Sequence, residues 1–283
     1  MESTFWDRVE RSGHRVPDDR PLADLTSELT SMLGDADPAR RDRIAYTTLA
    51  VWVTSGVYDD LLRGLGDGMA AGLAVGLGEH DTDSVFRRSF SALILGECLQ
   101  RDNGRHLVPP DTVLGWGDRL AGWFIAEQDL RGYVPGKGWA HAVAHGADAL
   151  GALAESSAMG APELPVLLDV VVERLLGTAG RPLLYGEVDR LAVATMRLLR
   201  RDLVGLDVLE AWVHRLGDAA GPLTASDDEP LPPSYNVQGY LRALHLQLAL
   251  APRPPACRSD MLLAVIEQIK RSNPDYLGAP VPG

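Results

Sequence analysis

The chain has 283 residues, 46% hydrophobic and 23% charged, a balance that supports a sizeable core and excludes a largely disordered or low-complexity protein. Its formal net charge of −12 repels phosphate backbones, so nucleic acid is not an expected partner. No run of about eighteen uncharged apolar residues occurs, so no membrane span is expected.

The N-terminal stretch Met1–Arg8 contains acidic residues and lacks the apolar centre of a signal peptide. Cys98 and Cys257 suit neither a disulfide framework nor a zinc-type spacing, and a cytoplasmic location is the expectation. Of 27 Lys and Arg residues only Lys137 and Lys270 are lysines. That singles out each of them, because ammonium and guanidinium differ in hydration and in how readily their pKa is tuned.

Apolar spacing predicts helices and no convincing strand. Leu22, Leu25, Leu29, Met32 and Leu33 mark the first face, closed by Gly34. Asp37-Pro38 reads as a cap and first-turn proline, opening a helix to about Val57. The Gly-rich Leu61–Gly78 is a weak helix rather than a cofactor loop, because no strand precedes Gly64-Leu65-Gly66-Asp67-Gly68. Asp81-Thr82-Asp83 opens the next helix, with the stripe Phe86, Phe90, Leu93, Ile94 and Leu99, and Pro109-Pro110-Asp111 opens another to Glu127. After the loop Gln128–Gly138 a helix is expected from Trp139 to about Met159. Further helices are expected over Pro162–Leu176, Glu187–Arg201, Leu206–Gly217, Tyr235–Leu250 and Ser259–Ile269.

That makes about eleven helices, with alternate helix starts roughly 40–50 residues apart. The fold class is therefore all-α: antiparallel helical hairpins in a HEAT-like or αα-superhelical stack, or an irregular bundle, without a visible repeat consensus. One domain over residues 1–283 is expected, with residues 1–18 and 273–283 loosely attached and Gly221–Pro233 a surface loop.

The segment richest in chemistry is Asp129-Leu130-Arg131-Gly132-Tyr133-Val134-Pro135-Gly136-Lys137-Gly138-Trp139 and the helix it feeds. His141, His145 and Asp148 stand at i, i+4 and i+7, one face of a helix. Two imidazoles a turn apart can bind a divalent ion such as Zn or Mn, with Asp148 as third ligand or orienting group. The same three residues can serve as catalytic acid–base groups, or simply as satisfied polar contacts between helices. Gly132, Gly136 and Gly138 permit close backbone approach, and Arg131 and Lys137 bring positive charge to a helix start. A carboxylate or phosphate is favoured there, with Trp139 adjoining; the alternative is an ordinary loop in which Arg131 pairs with Asp129.

The run Arg131-Gly132-Tyr133-Val134-x-x-Lys137-Gly138-Trp139-Ala140-His141-x-x-Ala144-His145-Gly146-Ala147-Asp148 resembles the signature of a bacterial family catalogued as domain of unknown function 2785. Arg88-Ser89-Phe90-Ser91 with Asp102, Glu187-x-Asp189-Arg190-Leu191-Ala192, and Asn236 with Leu241-Arg242 resemble its other recurrent positions, spanning roughly residues 20–270. The resemblance implies a compact helical fold and carries no activity with it.

Glu187 and Asp189 open a helix and can complete a His/carboxylate metal shell or act as base; the alternative is dipole complementation with an Asp189–Arg190 surface pair. Arg87 and Arg88 are further candidates, and Arg88 is preferred because Phe86 and Phe90 flank it. No nucleophile motif, phosphate loop or dinucleotide fingerprint is present. The expectation is a polar pocket around Arg131, Lys137, His141, His145 and Asp148 for a small anionic or peptide-like ligand, with hydrolytic or acid–base chemistry. The competing expectation is a non-catalytic scaffold for a protein partner, its His/Asp face structural.

Overall fold

The structure, a computed structural model, describes residues 5–177, 181–221 and 234–277. The expected loop over Gly221–Pro233 lies outside the described residues from 222 on, as do 1–4 and 278–283 of the termini. Contacts divide the chain into two compact units, Met1–Ala158 and Met159–Gly283.

In the first unit the α-helices are α1 (Phe5–Arg11), α2 (Leu22–Met32), α3 (Thr47–Ser55), α4 (Leu62–Gly72), α5 (Ser84–Arg105), α6 (Pro110–Ala126) and α7 (Ala142–Ala154). A π-helix, Ala39–Tyr46, leads into α3, and a hairpin of β1 (Tyr133–Val134) and β2 (Gly138–Trp139) leads into α7. The second unit holds α8 (Leu164–Leu176), α9 (Glu187–Leu199), α10 (Leu206–Ala220), α11 (Ser234–Leu250), α12 (Arg258–Ser272) and α13 (Pro274–Leu277). The all-α expectation holds, and α2 to α12 follow the predicted segments. Among the described residues no helix is long and apolar enough to cross a membrane.

Three local differences have physical causes. The N-terminal segment, expected to be loosely attached, forms α1, which buries Trp6 and Val9 and donates Trp6 Nε1–H to Glu28 at 2.7 Å. The helix opened at Asp37 starts in π register, where Asp37 Oδ1 accepts Ala39 N–H at 2.9 Å and Thr47 Oγ1 donates to the Asp42 carbonyl at 3.0 Å. Residues 139–141 are not helical: Trp139 closes the hairpin and His141, with φ of 51°, stands at the cap position before α7.

Alternate helices run parallel, as they must when consecutive helices reverse direction. Ser89, Gly96 and Asn103 of α5 meet His145, Ala149 and Ala152 of α7 in the same order. In the second unit α10 and α12 meet through His214–Gln268 and Asp218–Arg271. Glycines decide how closely helices approach. A Cβ on Gly66 of α4 would lie 2.2 Å from the Trp116 ring of α6, whereas one on Gly64 would meet nothing within 4 Å. The two positions therefore predict opposite outcomes in one helix. Gly66→Ala should cost about 1–3 kcal/mol by overpacking against a rigid indole, and Gly64→Ala should gain about 0.5–1 kcal/mol of helix propensity. Urea unfolding followed by circular dichroism checks both signs.

Candidate functional site

Arg88 lies wholly inside the first unit, its side chain 0% exposed against 2% for Glu127. Its Nε and Nη2 donate to Glu127 at 2.5 and 2.8 Å, and Nη1 donates to the carbonyls of Val75 and Gly76 and to Ser84 Oγ. Arg88 therefore ties α5 to the end of α6 and to the turn after α4. Arg88, expected from the sequence as a ligand contact, uses these donors inside the core.

Glu127 also accepts the Asp129 N–H at 2.9 Å, which begins the hairpin segment. Asp129 is buried and accepts Asp81 N–H at 3.0 Å and Arg131 Nη2–H at 2.6 Å, while Arg131 donates to the Thr82 carbonyl. Hydrogen bonding to Asp129 raises the Arg131 pKa further. Lys137 Nζ donates to both Asp83 oxygens at 2.6 and 2.8 Å. The two cations assigned to an anion thus already have carboxylate partners. Gly138, with φ of 80°, lies in β2 and not at a helix start, so the helix dipole does not reinforce them.

Main-chain pairing continues past the strands, with Ala140 N–H to the Gly132 carbonyl at 2.8 Å and His141 N–H to the Arg131 carbonyl at 3.1 Å. This holds Trp139 and His141 on one side of the ribbon, their rings stacked at 4.3 Å and 22°. From there a row of rings crosses the unit. His141 meets His145 at 5.9 Å, His145 meets Phe90 at 5.0 Å, and Phe90 meets Tyr46 of the π-helix at 6.2 Å. At the other end Trp139 meets Tyr133 at 5.1 Å, and both are exposed. Behind the row the buried Arg41 guanidinium lies 4.0 Å from the Phe86 ring centroid and donates to the Lys137 carbonyl at 2.7 Å.

His145 is buried, with Nδ1 2.7 Å from Ser89 Oγ. The Ser89 hydroxyl donates to the Ala140 carbonyl, which can only accept. Ser89 Oγ must then accept from His145, so the proton sits on Nδ1 and the basicity of the ring on Nε2. The same geometry denies Ser89 the role of nucleophile, because its proton is not directed at the imidazole.

Sequence reasoning missed Glu97 and Tyr46. Tyr46 donates its hydroxyl to Glu97 Oε1 at 3.3 Å, and the charge of Asp148 on α7 acts on Glu97. Glu97 follows Ser89 by two helical turns, on the same side of α5, and that spacing was the available signal. Burial, offset in part by the Tyr46 hydrogen bond and reinforced by Asp148, raises the Glu97 pKa. Among the described residues no three His, Cys, Asp or Glu side chains group so as to hold a metal ion. The three-ligand shell expected of His141, His145 and Asp148 is thus not formed: His141 stands outside helical register and His145 Nδ1 is turned to Ser89.

Glu187, Asp189 and Arg190 belong to the second unit. Glu187 is buried, which raises its pKa, and it accepts Tyr185 N–H at 2.7 Å at the start of α9. Asp189 and Arg190 are exposed in the first turn of that helix.

Because folding raises the Glu97 pKa, the folded state binds this proton more tightly than the unfolded chain. The stabilisation is present at low pH and is lost as pH rises above the ordinary value of 4.5 and through the folded pKa. Glu97→Gln, which mimics the neutral acid, should therefore melt higher than wild type at pH 7–8, and this advantage should vanish near about pH 4. Melting curves of the two proteins across that range test the sign.

No curated protein and no solved structure matches the chain. A family model described as a protein of unknown function, DUF2785, matches residues 73–246, more than half of the chain and narrower at both ends than the span expected from the motifs. The match contains the hairpin, α5 to α7 and the whole row of rings except Tyr46. The chain belongs to the DUF2785 family.

Proposed function

We propose that the protein binds a small peptide-like ligand at the face formed by the hairpin, α5 and α7. The observation that carries this reading is the row of rings, tied through Tyr46 to Glu97 at one end and finishing in exposed Trp139 and Tyr133 at the other. His141 enters it in a left-handed backbone conformation, the kind of strain that concentrates at ligand sites. Aromatic faces and carboxylates both attract cations and N–H donors. With Arg131 and Lys137 already paired, the ligand group recognised is a positively charged or donor-rich one in preference to a phosphate.

Acid–base chemistry belongs to the same reading. A half-buried carboxyl of raised pKa under the influence of a second carboxylate is a pattern that separates a proton donor from an acceptor, and His145 supplies a base at Nε2. A second reading, the protein-binding scaffold, is favoured by the burial of His145 between Ser89 and Phe90, which is also good packing.

Calorimetric titration with arginine amide and with N-acetylglutamate amide separates the two. Saturable binding of arginine amide alone, weakened about tenfold or more in Trp139→Ala and in Asp148→Asn, is the expected result. If neither compound binds at millimolar concentration, and Trp139→Ala melts as wild type does, the scaffold reading replaces this one.

A further inference from the structure

A groove of about 470 Å³ runs between α2 and α4. Its walls are mainly apolar, from Leu22, Leu61, Leu65 and Met69, and Leu61 is 55% exposed. Gly64 and Gly68, one turn apart on α4, keep it open, since a Cβ on either would meet nothing within 4 Å. The volume lies within the range of small-molecule sites.

Two polar groups of the lining select what enters. Thr26 Oγ1 donates to the Leu22 carbonyl at 2.7 Å and lies 2.7 Å from Tyr58 Oη. A hydroxyl carries one proton, so Thr26 has none left for Tyr58, and the phenol must donate to Thr26. Tyr58 is 2% exposed, and burial pushes its pKa up to about 12, so the phenol keeps that proton. Its oxygen therefore offers the groove lone pairs and no donor. Asp60, in the short 3-10 turn Asp59–Leu61 that leads into α4, is the one charged residue of the lining. It is exposed and makes no hydrogen bond or ion pair among the described residues. An apolar trough with an uncommitted acceptor and an unpaired carboxylate calls for a molecule with an apolar chain and a cationic, N–H-donating head. An acidic head would be repelled by Asp60 and would find no donor on Tyr58.

We propose that the α2–α4 groove binds a single-chain primary alkylamine in its ammonium form, with the chain along Leu61, Leu65 and Met69 and the head at Asp60 and Tyr58. Burial of the chain supplies affinity, and charge-assisted N–H donation to the Asp60 carboxylate and to Tyr58 Oη selects the head. The bare faces of Gly64 and Gly68 admit the chain. The groove shares no residue with the row of rings, and its occupancy does not depend on that row.

The test uses octylammonium at pH 7, with octanol, octyltrimethylammonium and octanoate as chain-matched heads, each below its micellar or solubility limit. Titration calorimetry of the wild type should give one octylammonium per chain, bound about tenfold more tightly than octanol or the quaternary ion, with octanoate weakest. Asp60→Asn should abolish the preference for ammonium over octanol while chain binding persists, and Tyr58→Phe should narrow the gap between the primary and quaternary ions. Gly68→Leu should remove binding of all four, with a melting point at least as high as wild type, because the substitution fills open space and favours the helix. Asp24→Asn removes an exposed carboxylate of α2 outside the groove and should leave octylammonium affinity unchanged, which separates the site from general attraction to an acidic surface. Absence of octylammonium binding, octanoate binding as tightly, or binding that survives Gly68→Leu overturns the proposal, as does a loss in Asp24→Asn equal to that in Asp60→Asn.

Discussion

A charged pair sealed inside a helical core costs several kcal/mol of desolvation per ion unless its geometry and hydrogen bonding return it. Arg88 and Glu127 meet that demand, and much of the first unit is arranged around doing so. Arg88 uses its donors on Glu127, on Ser84 and on the carbonyls after α4. Glu127 in turn accepts from Trp123 at 2.9 Å and from the Asp129 main chain. Those bonds set where α6 must stop and in which direction the next residues leave. Asp129 passes the constraint on to Arg131 and to the Asp81 main chain, so the hairpin starts from a buried electrostatic anchor.

From that anchor the rest of the site follows. The hairpin returns the chain to α7, whose small residues let α5 come close enough for a Cβ on Gly96 to lie 3.3 Å from Ala149 Cα. At that separation Ser89 reaches His145, and the charge of Asp148 is felt at Glu97. Positive charge near the hairpin is consumed by acidic residues of the same unit, while Glu97 takes the Tyr46 hydroxyl and feels the charge of Asp148. Arg131 and Lys137, which suggest an anion site when read along the chain, are thus taken up by Asp129 and Asp83, and the exposed end of the row of rings is aromatic.

Neighbouring arginines show the same lesson in miniature. Arg87 and Arg88 differ by one position on α5, which turns one into the core beside Glu127 and the other toward α2. Glycines of α4 divide similarly: Gly66 is required by the Trp116 ring, whereas Gly64 and Gly68 face open space. In a helix, one step around the axis separates packing necessity from an available surface.

The helical class, the order of α2 to α12 and the segment around Arg131–Asp148 were legible from apolar period, caps and motif, because each depends on residues a few positions apart. The two-stranded hairpin was not, since its strands are two residues each and its glycines read equally well as a helix entrance. Nor could Glu97 or Tyr46 be placed, because the two are 51 residues apart and on different helices. Charge along the chain named the cations and anions; only packing decided which of them neutralise each other. Local sequence determines what a residue can offer, and the tertiary structure decides whether that offer is used inside the protein or left on its surface, since burial and partner distance are properties of the folded chain alone.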